Sequence, residues 1–290
     1  MMARQLIITS DDFGLSSGVN RAVEKAWQDG ILTCASIMPG GVAFDEAIDI
    51  SRRNPGLQVG LHLTLVQGRS VLPVDRVHEL VDESGCFTDN SYTAGMRYFF
   101  DRALYCQLKR EIEAQIVKVI DAGVSLSHID GHLNIHMHPT VFRILAELMP
   151  VHGITSFRLS NERLAHNLRF DRERLLGKSV ESFIFNSLSD NCRPTLDQLG
   201  IKHAGEVKGL FNSGRMTSEY ILNVLDDLHE GLTEFYFHPG ILPDEEISRK
   251  MPDYRHQEEL AAITDPAVKQ KIDSLGITLV NYRGDRKRDA

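Results

Sequence analysis

Several side chains able to bind a metal or move a proton stand in this sequence just after short apolar runs. Asp11 and Asp12 follow Gln5–Thr9, His62 lies within Leu57–Leu65, and Arg158 closes Thr155–Leu159. His238 follows Glu234–Phe237. The densest group is His128-Ile129-Asp130-Gly131-His132-Leu133-Asn134-Ile135-His136-Met137-His138. With 12 His in 290 residues, chance places about half a His in an 11-residue window, and this one holds four. One such His is an ordinary core residue, and paired Asp after a strand is often a cap or turn. Together they read better as one site of one carboxylate and two imidazoles around a metal ion, with positions left open for water and substrate.

These ligand types admit Zn²⁺, Fe²⁺, Mn²⁺, Co²⁺ or Ni²⁺. They do not choose a reaction, because non-haem iron oxygenases use the same set and His128-Ile129-Asp130 mimics their His-x-Asp. The order of elements argues against that reading. Apolar runs at 5–9, 31–38, 57–65, 125–132, 155–159, 234–237 and 277–282 alternate with helical patterns such as Val19/Val23/Ala26 and Leu108/Ile112/Ile116. Ser16 or Ser17 can cap the first helix, Gly30 can end it, and Pro139 opens another. Alternation of this kind predicts a parallel sheet with reactive groups at the C-terminal strand ends. The expected fold is α/β, a single-domain (β/α) barrel, irregular and TIM-like, with about seven strands. It spans 1–283, with lid insertions near 66–106 and 160–216, the latter read as irregular, and a polar basic tail at 284–290.

Composition narrows the partners. A net charge of −8 excludes a nucleic-acid footprint. The one basic cluster, Arg283, Arg286, Lys287 and Arg288, reads as a solvated tail. Cys34, Cys86, Cys106 and Cys192 are widely spaced without a CxxC, which fits a reducing compartment. There is no signal peptide and no transmembrane stretch, so a cytoplasmic location is expected.

The chain resembles the YdjC-like carbohydrate deacetylases. The matching residues are Ile8-Thr9-Ser10-Asp11-Asp12-Phe13-Gly14 with Asn20, Gly60-Leu61-His62, His128-x-Asp130-x-His132 with His136 and Pro139, and His238-Pro239. The resemblance implies Asp12, His62 and His132 as metal ligands and Asp11 as general base. It departs at Asn134, where family members often have a His. It further implies a hydrolase that removes the acetyl group from an N-acetylated sugar, using one divalent ion, Mg²⁺ or Zn²⁺. A finer likeness points to the hopanoid-biosynthesis branch. It rests on Gly60–Arg69, Phe99-Phe100-Asp101, His136–Val141 and Ser213-Gly214-Arg215-Met216-Thr217. That branch implies an N-acetylglucosaminyl hopanoid as substrate and peripheral contact with the inner membrane. On this reading His238 protonates the leaving amine, Arg158 orients Asp11 or contacts the sugar, and Asp130 steadies a ligating His. A chitooligosaccharide deacetylase and a non-catalytic sugar-binding protein are the competing readings, and a homodimer is left open.

Overall fold

The structure, a computed structural model, describes residues 3–287. Among the described residues there are seven strands: β1 (Arg4–Phe13), β2 (Cys34–Ile37), β3 (Gln58–Leu63), β4 (Ile129–Gly131), β5 (Glu206–Lys208), β6 (Gly231–Phe237) and β7 (Thr278–Leu279). They form one parallel sheet in the order β4-β3-β2-β1-β6-β5, with β7 joined to β1 off that path. β6 takes one edge of β1 from Arg4 to Ser10. The other edge is divided between β7, at Gln5 and Leu6, and β2, from Thr9 onward.

The expected TIM-like ring is corrected to a curled half-barrel. Between the end strands β4 and β5 the predicted strand Thr155–Leu159 contributes only single bridges, Ile129 to Phe157 and Ser156 to Lys202. Short, irregular backbone there breaks the ladder that a closed barrel needs.

Helices α1 (Ser17–Asp29) and α2 (Phe44–Arg53) are the first two crossovers. Ser16 caps α1 through Val19 N–H at 3.4 Å, and its apolar stripe packs into the main core. The segment 66–106 carries α3 (Val74–Val77), α4 (Ser91–Phe100) and the start of α5 (Tyr105–Asp121). Next come α6 (Pro139–Val151), α7 (Leu164–Asn167) and α8 (Leu175–Leu199), then α9 (Ser218–Asp226). The last three are α10 (Glu245–Lys250), α11 (His256–Ile263) and α12 (Pro266–Ser274).

Residues 160–216, expected to be irregular, thus hold the longest helix of the chain. α8 hid from the sequence because it buries Lys178, Ser182 and Ser189 alongside Cys192 and Leu196. Its inward apolar positions, Phe185, Leu188, Cys192 and Leu196, cover only the second half, and exposed Leu176, Val180, Phe183 and Ile184 on another face blur the period. The basic tail is corrected in part. Lys287 is not solvated but donates to Trp27 O, Gly30 O and Leu32 O at 2.7–2.9 Å, satisfying carbonyls around the C-terminal end of α1. Arg288–Ala290 lie outside the described residues. The four cysteines are free, and among the described residues no helix is long and apolar enough to cross a membrane.

Candidate metal centre and active site

Asp11 and Asp12 belong to β1 itself rather than to a loop after it. The pairing with β2 slips between Ser10 and Phe13, and Asp12 takes φ 62° there. That bulge points two successive carboxylates at one place, which a regular strand with period two cannot do. His62 sits in β3 above Gly60, where a Cβ would lie 2.3 Å from the His128 ring. His132 follows β4 directly and is set by Leu133 and Asn134, at φ 50° and 56°. Left-handed backbone at Leu133 costs about 1–2 kcal/mol, strain of the kind stored at working sites.

These elements bring Asp12, His62 and His132 together, with one potential ligand atom from each within 4.8 Å of the others. His62 Nε2 and His132 Nδ1 lie 3.2 and 3.1 Å from Asp12 Oδ1. Asp130 Oδ1 accepts from His62 Nδ1 at 2.7 Å, which fixes the ring and turns Nε2 to the site. Ser36 Oγ donates to Asp130 Oδ2 at 2.6 Å.

Two observations test whether a cation fits. Asp12 Oδ2 and His132 Nε2 are buried without a hydrogen-bond partner. Three buried carboxylates, Asp11, Asp130 and Glu234, also share one guanidinium, Arg158, while Asp12 is buried and among the described residues pairs with no lysine or arginine. Such an excess of buried negative charge calls for a compensating cation. Without it, burial works against the His62 imidazolium, but the Asp130 and Asp11 carboxylates overcome this and raise its pKa to about 10. The donor set and its charge therefore suit a divalent ion.

Arg158 is 1% exposed and lies beneath the site, under the Tyr236 ring at 4.6 Å. It grips Asp11 through two hydrogen bonds of 2.7 and 2.8 Å, and reaches Asp130 and Glu234 at 2.8 Å. Of its two expected roles the geometry serves orientation of Asp11; the guanidinium is too deep to meet a sugar. Burial pushes the Asp11 carboxyl up to about 7 against the pull of Arg158. That is the range a general base needs.

His238 Nε2 lies 4.0 Å from Asp11 Oδ2, and Nδ1 lies 3.9 Å from Glu259. Burial lowers its pKa to about 3, so the ring is neutral before substrate arrives. Its backbone is clamped from α11: Glu259 accepts from His238 N–H, and His256 Nδ1 meets His238 O at 2.6 Å.

The other histidines of the run are scaffold. His128 stacks on Tyr282 with centroids 4.1 Å apart, His136 bonds Arg158 O at 2.9 Å, and His138 bonds Gly95 O at 3.0 Å. Asn134 accepts from Ser160 Oγ at 2.6 Å at the cavity wall. A cavity of about 540 Å³ opens over Asp11, His62, His132 and His238, with Tyr254 and Leu133 on its sides. The sequence reading missed Glu234, whose signal was a lone acid in an apolar strand, and Ser36, which carried none.

A family model described as YdjC-like protein matches residues 5–274. A protein of Thermoanaerobacter pseudethanolicus described as a carbohydrate deacetylase is 29% identical over 96% of this chain and 98% of its own. One from Geobacillus stearothermophilus with the same description is 28% identical over 97% and 98%. The solved structure of a "putative cellobiose-phosphate cleavage protein" from Enterococcus faecalis V583 superposes with TM-score 0.74 and 26% identity. It covers 97% of this chain and 98% of that one.

Proposed function

The chain belongs to the YdjC-like family, and from that premise we propose that it hydrolyses the acetamide of an N-acetylglucosamine-type sugar at the Asp12–His62–His132 centre. The observation that carries this reading is the pair of partnerless ligand atoms, Asp12 Oδ2 and His132 Nε2, amid surplus buried carboxylate beside Asp11. Relatives described as carbohydrate deacetylases align along nearly the whole chain and support it.

Asp12, His62 and His132 would hold the ion. When bound, a divalent metal supplies a Lewis acid that acidifies water and stabilises an oxyanion. Asp11, held by the Arg158 fork, takes the proton from the attacking water. His238, across from Asp11, delivers a proton to the departing amine. Since the ring starts neutral, it must first gain that proton, and Asp11 at 4.0 Å is the nearby acid once it has become protonated. Asp130 keeps His62 in one tautomer throughout.

The finer substrate we propose is an N-acetylglucosaminyl hopanoid, on the strength of the Gly60–Arg69, Phe99-Phe100-Asp101, His136–Val141 and Ser213–Thr217 segments. A soluble oligosaccharide is the second reading, and relatives described as carbohydrate deacetylases are compatible with it. Acetate release from N-acetylated disaccharides and from an N-acetylglucosaminyl lipid, with metal content measured on the same samples, tests both. Activity on the lipid above that on the sugars is expected, and chelation should abolish it. Full turnover after complete metal removal would end the metal-dependent reading.

A further inference from the structure

Two helices that contribute to the cavity wall wear large apolar residues outward. On α4 the exposed positions Tyr92, Met96, Phe99 and Phe100 follow i, i+4, i+7, i+8, while only Ala94 and Tyr98 are buried. On α8 Leu176, Val180, Phe183 and Ile184 repeat the same spacing. Tyr92 and Phe183 are each 75% exposed, Phe100 68% and Leu176 84%. In the first turns of α8, where this stripe lies, the buried side chains are polar: Ser182, and Lys178 on Asn167 and Asp171 at 2.8 Å. An amphipathic helix of a soluble domain turns the other way. An outward stripe of large apolar groups on each of two helices marks a contact surface.

Both helices pack against α6, and both reach the cavity, α4 through Ser91 and α8 through Glu181 and Phe185. Leu133, itself exposed, is also a cavity residue. Beside Phe99 and Phe100 runs a groove of about 840 Å³ that contains Arg102 and Arg143. Arg143 is exposed over the Tyr105 ring, and among the described residues neither arginine forms an ion pair.

We propose that this face docks on a lipid bilayer, with the α4 and α8 stripes in the acyl boundary and Arg102 and Arg143 at headgroup phosphates. Apolar side chains beside unpaired guanidinium groups match the two chemistries of a phospholipid surface. A second copy of the chain seated on both helices would press on elements that line the cavity, at Ser91, Glu181 and Phe185. A bilayer instead presents its own glycolipids to that cavity. The proposal rests on the lipid-linked reading above for the purpose of docking, but not for docking itself.

The test is co-sedimentation of the full chain with vesicles of phosphatidylethanolamine and phosphatidylglycerol. Binding of the parent protein is expected. Leu176→Ser with Phe183→Ser, and separately Phe99→Ser with Phe100→Ser, should each lower the partition coefficient about tenfold or more. Circular dichroism checks that these surface variants fold; Val180→Lys serves if either pair does not. Absence of parent binding would overturn the proposal, as would a concentration-dependent dimer that the same substitutions dissociate. Failed docking with acetate release from soluble sugars intact sinks the bilayer and spares the deacetylase. Docking without any acetate release does the reverse.

Discussion

Asp12, His62 and His132 have a near twin in His166, Glu206 and His229, another group whose ligand-type atoms lie within 4.8 Å of each other. The residue types barely differ, yet the surroundings do. In the twin, Lys208 Nζ already sits 2.7 Å from Glu206 Oε1 and 2.8 Å from His166 Nδ1. His166 Nε2 lacks a hydrogen bond, as His132 Nε2 does, though Asp227 lies 3.9 Å from it, and the Glu206 carboxylate is answered by an ammonium. Burial would raise the Glu206 pKa, and Lys208 outweighs it and holds it below the ordinary range. Among the described residues no lysine or arginine pairs with Asp12, and the Arg158 guanidinium beneath the site is shared by three other carboxylates. Proximity of His and Glu is therefore weak evidence for a metal; an uncompensated charge is strong evidence.

Glu259 shows a third answer to a buried carboxylate. It has neither ammonium nor candidate ion, only the N–H groups of Met216 and His238. Burial pushes its pKa up to about 7, so below that pH it is met by a proton.

The sharpest way to break this contrast is to remove one imidazole from each cluster. His132→Ala should lose the bound divalent ion and at least about a thousandfold in turnover, the several kcal/mol a Lewis acid supplies. His166→Ala should change neither metal content nor kcat, and a drop in metal stoichiometry there would erase the distinction. Next in size, Asp11→Asn should keep the metal yet lower kcat about 10²–10⁴-fold, with KM little changed. Near-parental turnover would show that Asp11 is not the base.

Removing the built-in cation should convert the twin. Lys208→Met leaves Glu206 buried and unpaired, at a cost of about 3–5 kcal/mol in chemical denaturation. Added Zn²⁺ should then raise the melting temperature of the variant and leave the parent unmoved at this cluster. If zinc does nothing for the variant, charge compensation is not what separates the two groups. The smallest effect concerns Glu259. Its folded pKa lies above its ordinary 4.5, so the folded state binds more protons between about 4.5 and about 7, and stability falls as pH rises through that window. Glu259→Gln should flatten that slope in melting temperature against pH, whereas an unchanged slope would assign it to other groups.

The division between local and distant information is visible in particular residues. Ser16, Gly30 and Pro139 mark helix ends through contacts within a few positions, so those ends were legible. Alternating apolar runs are enough to place Asp12, His62 and His132 on strands or at their ends, because the sheet period and the crossover rule are properties of short segments. The half-barrel was not legible, since its gap depends on whether 155–159 finds a ladder partner. α8 was not legible either, because the residues that receive Lys178 are known only once the chain has folded back. The Arg158 fork to Asp11 and the join to Glu234 span 147 and 76 residues. Sequence alone decided which side chains could bind a metal. Tertiary structure decided which of them were left short of a positive charge, because compensation is a sum over neighbours that only folding assembles.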